Sequence, residues 1–109
     1  MANTFKLKTI ANVGVTTVGI YTAPAATTTV VIGITMANTS GSGVNVGVGI
    51  TRAGATEDVK LLKNAPVPQG SSLEFMAGNK IVLEATDTVT VDSDTNNSID
   101  AALTIMEIT

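Results

Sequence analysis

Val44-Asn45-Val46-Gly47-Val48-Gly49-Ile50-Thr51 alternates apolar residues with small or polar ones without a break. Side chains of a strand point to opposite faces with a period of two. The stretch therefore reads as a half-buried strand with Val44, Val46, Val48 and Ile50 on its core face. Gly47 and Gly49 leave the other face without side chains, so another backbone or sheet is expected to approach there. Upstream, Thr27 to Met36 places Val30, Ile32, Ile34 and Met36 on one face and Val31 and Gly33 on the other. Between the two lies Asn38-Thr39-Ser40-Gly41-Ser42-Gly43, rich in residues that tolerate positive φ. The pair is expected to form a hairpin.

The same period extends in both directions. Phe5, Leu7 and Thr9 alternate with Lys6, Lys8 and Ile10 in a first strand. Val13 and Val15 share one phase, and Val18, Ile20 and Thr22 the other, so a bulge or bend is expected at Thr16-Thr17. Ala23-Pro24-Ala25-Ala26 breaks the ladder, because Pro24 cannot donate a hydrogen bond. Val59 to Lys63 reads as a short strand, with a helical turn over Glu57 to Asn64 as the weaker reading. Ala65-Pro66-Val67-Pro68-Gln69-Gly70 reads as a connection. Strands follow at Ser72 to Met76, Ile81 to Glu84 and Thr88 to Val91, with a turn at Ala77-Gly78-Asn79 and Val89 and Val91 inward. The last strand, Ile99 to Ile108, is apolar on both faces, as in a central strand or a subunit interface.

Eight to nine short strands at spacings of about 8–12 residues predict an all-β fold: one antiparallel β-sandwich, jelly-roll or Ig-like, over residues 1–109. No linker or repeat divides the chain. At 109 residues a single domain buries enough surface to fold alone.

Composition removes most chemistry. The chain has no Cys and no His, so disulfides, thiolate nucleophiles and Ser-His-Asp triads are out of reach. Charged residues make up only 14%, against about 25% in ordinary soluble domains. Mean hydropathy is nonetheless positive, at +0.37. No apolar run approaches the roughly 18 residues of a membrane span, and Met1 to Lys6 lacks the apolar segment of a secretory signal. A chain short of solubilising charge is expected to hide surface in an assembly. Its bases fall early (Lys6, Lys8, Arg52) and its acids late (Glu84, Asp87, Asp92, Asp94, Asp100, Glu107). This split reads either as scattered surface charge or as a face that pairs head-to-tail with a neighbour. A pI near 4.6 disfavours nucleic acid.

Candidate motifs weaken on inspection. Asp92-Ser93-Asp94-Thr95-Asn96 opens like a calcium loop, whose alternating oxygens suit a hard cation. Asn97 then stands where Gly is needed and Leu103 where a bidentate Glu is needed, so a polar turn is the better account. Gly41-Ser42-Gly43 is a fragment of a phosphate-binding loop, but no helix follows it. Glu84 and Asp87 offer no sign of being held across a cleft as a glycosidase pair is. Three aromatic residues, Phe5, Tyr21 and Phe75, give no platform for sugars or bases. Phe5 and Phe75 are in apolar phase and read as core, and Tyr21 is expected to border a sheet. The sequons at Asn38 and Asn96 carry little weight without a secretion signal. No catalytic residue, metal or cofactor is expected.

Taken together, several segments resemble small phage virion proteins. They are Thr4 to Val13, Val30-Val31-Ile32-Gly33-Ile34 with Ala37-Asn38-Thr39, and Leu61 to Gly70 with Ser71-Ser72-Leu73. Lys80 to Ala85 with Asp87 and the closing Met106-Glu107-Ile108-Thr109 complete the set. Thr86 stands where such proteins tend to have Gly, so the turn there is expected to be irregular. The resemblance implies a non-enzymatic structural subunit of the virion, made in the host cytoplasm. It further implies a capsid decoration or cement protein that clamps major capsid subunits and forms homo-oligomers. A neck, tail, baseplate or fibre-associated subunit is the alternative, and a carbohydrate-binding β-sandwich a more distant one. The interface candidates are Thr4, Phe5, Lys6, Leu7 and Lys8 in the first strand, Asn38 and Ser40 in one loop, Gly47 and Gly49, and Asp92, Asp94 and Asn96 in another loop.

Overall fold

A computed structural model describes residues 3–75 and 80–109. Nine strands follow in order: β1 (Asn3–Val13), β2 (Val18–Thr22), β3 (Thr28–Asn38), β4 (Val44–Thr51), β5 (Asp58–Val67), β6 (Ser72–Phe75), β7 (Ile81–Leu83), β8 (Thr88–Ser93) and β9 (Ile99–Ile108). They form a five-stranded sheet ordered β1-β9-β3-β6, with β7 also paired to β3, and a four-stranded sheet ordered β2-β8-β4-β5. All pairings are antiparallel.

Early strands thus pair with late ones: β1 with β9, β2 with β8, β3 with β6 and β7, β4 with β5. The chain behaves as one long antiparallel ribbon, folded back at the β4–β5 turn and rolled so that successive pairs fall in alternate sheets. This is jelly-roll connectivity, with β6 and β7 sharing one strand position. It also explains the split of charge along the sequence. Lys6 reaches Glu107 at 2.8 Å and Arg52 reaches Glu84 and Asp87, each at 3.0 Å. Two of the early bases, Lys6 and Arg52, thus meet late acids within the molecule.

The core lies between the sheets. Val31, Ile34 and Met36 of β3 and Leu103 and Ile105 of β9 face Val46 and Val48 of β4 and Val91 of β8, all buried. Full burial of each such side chain is worth about 1.5–3 kcal/mol before chain entropy is set against it. β9 sits between β1 and β3, so one half of its two-sided apolar pattern enters the core while Met106 and Ile108 stay on the outer face.

Several expectations are corrected. β3 and β4 are not a hairpin: they belong to opposite sheets, and the Thr39–Gly43 loop crosses between them. The face assignment of β3 changes midway, because the register shifts between Val31 and Gly33. Thr29 and Val31 face inward before that bulge and Ile34 and Met36 after it. An inserted residue reverses the phase that strict alternation assumes. Phe5 is not core. Its register partner is Met106 on the outer face of β9, and it is 69% exposed. The bend expected at Thr16-Thr17 is present at Val15-Thr16, where the chain leaves one sheet for the other, and a bulge lies earlier, between Ile10 and Val13, where Asn12 has φ 59°. β5 is a strand throughout and absorbs Ala65-Pro66-Val67, which an edge position permits, since Pro66 has no N–H to leave unpaired. Ala77-Gly78-Asn79 lies outside the described residues.

Candidate assembly surface

The two outer faces of the sandwich differ sharply. Over the four-stranded sheet the face is polar and internally paired. Lys60 Nζ lies 2.8 Å from Asp58 Oδ2 and 3.1 Å from Asp92 Oδ2. Thr90 Oγ1 and Thr51 Oγ1 donate to Asp58 Oδ1 at 2.7 and 3.2 Å, and Thr17 Oγ1 donates to Asp92 Oδ2 at 2.9 Å. Burial alone would disfavour the Asp58 carboxylate. Lys60 and the Thr90 hydroxyl outweigh it, and the pKa falls below the ordinary value. Gly47 and Gly49 lie beneath these groups. The space a Cβ would take is filled by the Asp92 carboxylate at Gly47 and by that of Asp58 at Gly49. The glycines do admit a close approach, but by carboxylates of neighbouring strands, not by another sheet.

Over the five-stranded sheet the face is apolar. Register aligns Phe5, Met106, Val30 and Val82 in one row across β1, β9, β3 and β7. Phe5, Leu7 and Val82 are 69%, 64% and 59% exposed. Ile108 extends the patch on β9. Toward the far end the side chains shrink to Thr9, Ala11, Ala102, Thr35 and Ala37, which floor a shallow trough beside Asp100. Asp100 pairs with Ala37 and Glu74 with Thr35, so both acids of this face fall at the trough end. The exposed side chains of this face are therefore large and apolar at one end and small or acidic at the other.

The other interface candidates separate into distinct places. Lys6 and Lys8 share register with Ile105 and Leu103, so they lie on the inward side of β1 at the sheet edge, and Thr4 shares that side opposite Glu107. Asn38 is buried. Its amide donates to the carbonyls of Ser42 and Val67, and its Oδ1 accepts from Ser40 N and Oγ. Asp94 and Asn96 lie at the same end of the sandwich, joined to it through the Thr39 N–H to Ser98 carbonyl bond of 2.8 Å. The oxygens of the would-be calcium loop diverge. Asp92 turns to Lys60 and Thr17, Asp94 Oδ1 accepts from Asn45 N at 3.1 Å, and Asn96 Oδ1 accepts from Val15 N at 3.4 Å. The turn is held instead by Ser98 Oγ, which reaches Ser93 Oγ at 2.7 Å and the Thr95 carbonyl at 2.6 Å.

Glu84 and Asp87 both pair with Arg52. Asp87 is a buried hub that accepts from the backbone N–H groups of Ala53 and Glu84 and from Arg52 Nε. Burial opposes its charge, and these donors overcome the penalty, so its pKa lies below the ordinary value. Among the described residues no group of three or more acidic side chains converges as a metal site would, and no helix is long and apolar enough to cross a membrane.

Sequence reasoning missed one cluster. Tyr21, expected to border a sheet, is buried, and its hydroxyl lies 2.6 Å from Glu107 Oε2 and 2.8 Å from Thr29 Oγ1. The signal available was Glu107 itself, an acid on the core face of an apolar strand, which demands a partner.

No protein-family model matches the chain, and no curated protein matches it. Several solved structures are similar in fold, two of them over nearly the whole chain. A chain from Bacillus endospore appendages, described as a novel family of disulfide-linked pili, superposes with a TM-score of 0.52 at 17% identity, covering 100% of this chain and 91% of that one. A chain from the acidic stable capsid of Helicobacter pylori bacteriophage KHP30 superposes with a TM-score of 0.54 at 8% identity, covering 98% of this chain and 87% of that one. At these identities the likeness establishes a shared all-β sandwich fold along nearly the whole chain.

Proposed function

We propose that this chain is a non-enzymatic structural subunit of a phage virion, and within the virion a capsid decoration subunit that steadies contacts between major capsid proteins. The observation that carries this reading is the contrast between the two outer faces. One ties the Asp58 and Asp92 carboxylates to Lys60 and to threonine hydroxyls, and the other presents the row Phe5, Met106, Val30, Val82 with Leu7 beside it. A capsid surface that covers this row removes apolar area from water at about 25 cal/mol per Å². Many copies on a lattice then add up to a stabilised shell, and neighbouring copies supply the expected homo-oligomeric contacts. The fold shared with a capsid chain and with a pilus chain supports an assembly role. This chain has no Cys, so a disulfide link of the kind named for the pili is not open to it.

Two alternatives differ in what they require. A neck, tail, baseplate or fibre-associated subunit uses the same face at far lower copy number. A carbohydrate-binding role needs an aromatic platform, whereas Tyr21 is buried and Phe75 packs against the core. Cryo-electron microscopy of particles that carry the chain decides the place. Regular density on the capsid lattice, with the apolar face turned to the shell, is the expected result. Density confined to the tail vertex overturns the decoration assignment.

A further inference from the structure

The sandwich has four sheet edges, and three are blunted. β2 spans only five residues and runs into Pro24. β5 contains Pro66, carries Lys60 and Lys63, and meets β4 with two register shifts. The edge beyond β3 is divided between β6 and β7. Short strands, proline, lysine and bulges are the usual means of preventing edge pairing. β1 carries lysines too, Lys6 and Lys8, but over Asn3 to Ile10 it runs in unbroken register with β9, contains no proline, and has no second strand paired to it among the described residues. Its backbone is set to pair once more.

Charge on β1 selects the occupant. Lys6 and Lys8 lie on one side of the strand, and Phe5 and Leu7 on the other. Lys6 bonds Glu107 yet its side chain stays 42% exposed, and Lys8 makes no ion pair among the described residues. A second copy is a poor partner in the registers that overlap most of the strand. With outer faces aligned, antiparallel pairing of two β1 strands centred on residue 7 sets Lys6 opposite Lys8 of the other copy. Centring on residue 6 or 8 sets a lysine opposite itself. Like charges directly opposite destabilise a strand pair. A segment with acids in alternate positions relieves this repulsion, and apolar residues between them continue the Phe5 and Leu7 side.

We propose that β1 takes an extended acidic–apolar segment of another protein as an added strand of the five-stranded sheet. Main-chain hydrogen bonds hold it, and Lys6 and Lys8 select it by charge. The inference rests on the assembly reading above and specifies how that assembly is made.

Fluorescence anisotropy on the intact chain tests it with 11-residue peptides, the length of β1. Three probes are used: alternating glutamate and valine, alternating lysine and valine, and the glutamate peptide N-methylated at alternate amides. The glutamate peptide is expected to bind saturably. The lysine peptide should bind about tenfold more weakly or worse, and N-methylation along the pairing edge should abolish binding. Lys8→Glu, checked for folding by circular dichroism, should reverse the charge preference. No binding of the glutamate peptide, or equal binding of its N-methylated form, overturns the proposal. Because these measurements need no particle, their failure leaves the capsid assignment standing, and density at the tail vertex leaves the edge assignment standing.

Discussion

The Tyr21 hydroxyl donates to Glu107 Oε2 at 2.6 Å, and this bond joins the two sheets through the core, since Tyr21 is on β2 and Glu107 on β9. Thr29 Oγ1 lies 2.8 Å from the same hydroxyl, and Lys6 Nζ lies 2.8 Å from Glu107 Oε1. Four strands therefore meet in one cluster around Glu107 and the Tyr21 hydroxyl. Tyr21→Phe removes the donor and leaves a buried carboxylate oxygen unpaired, so a loss of about 1–3 kcal/mol is expected. The urea midpoint, at unchanged slope, measures it.

Stability should depend on pH at both extremes. The hydrogen bond from Lys6, then that from Tyr21, holds the Glu107 pKa below its ordinary value, and Asp58 and Asp87 are lowered as well. A lowered carboxylate pKa contributes stability above the unfolded-state value, 4.5 for Glu and 3.8 for Asp. That stability drains away as pH falls through the folded-state value. Tyr21 behaves in the opposite sense. Burial first, and Glu107 second, push its pKa up from 10.0 to about 12. Its contribution is complete below pH 10 and is lost between there and about 12. Melting temperatures across pH should form a plateau that falls on both sides, and Tyr21→Phe should flatten the alkaline fall.

Thr86 has φ 68°, a left-handed conformation that costs a β-branched residue about 1–2 kcal/mol. Its N–H bonds the Ala23 carbonyl at 2.8 Å, and the Asp87 N–H bonds the Glu84 carbonyl at 3.1 Å, so the turn is held despite the strain. Thr86→Gly keeps both bonds and should stabilise the protein by about 0.5–1 kcal/mol, after the extra unfolded-state freedom of Gly is subtracted. Thermal and urea unfolding report the gain.

Gly49→Ala should destabilise. Its Cβ would run into the Asp58 carboxylate, which Thr51, Thr90 and Lys60 hold in place. Relief requires breaking that network, at an expected cost of about 1–3 kcal/mol in urea unfolding.

The apolar face should matter little to folding. Phe5→Ser and Val82→Ser are expected to stay within about 0.5 kcal/mol of the parent, whereas Leu103→Ala in the core should cost about 2–5 kcal/mol. Paired urea titrations distinguish surface kept for a partner from surface needed by the fold.

The sequence by itself determined the all-β class, most of the strands and the lack of Cys and His. Val44 to Ile50 alternates so regularly that its core face could be named, because a period of two is a local property of the extended chain, whereas Ile99 to Ile108 is apolar on both faces and its core side waited on the fold. What it left open depended on partners distant along the chain. Whether Phe5 lies in the core or in water turns on β1 being an edge strand beside β9, whose register with it spans about a hundred residues of sequence. The β3 bulge, the separation of β3 from β4 and the Tyr21–Glu107 bond are likewise decided by pairings between early and late strands. Only the rolled topology could turn an early base and a late acid into neighbours, and leave one face of the sandwich self-satisfied while the other stayed apolar and open.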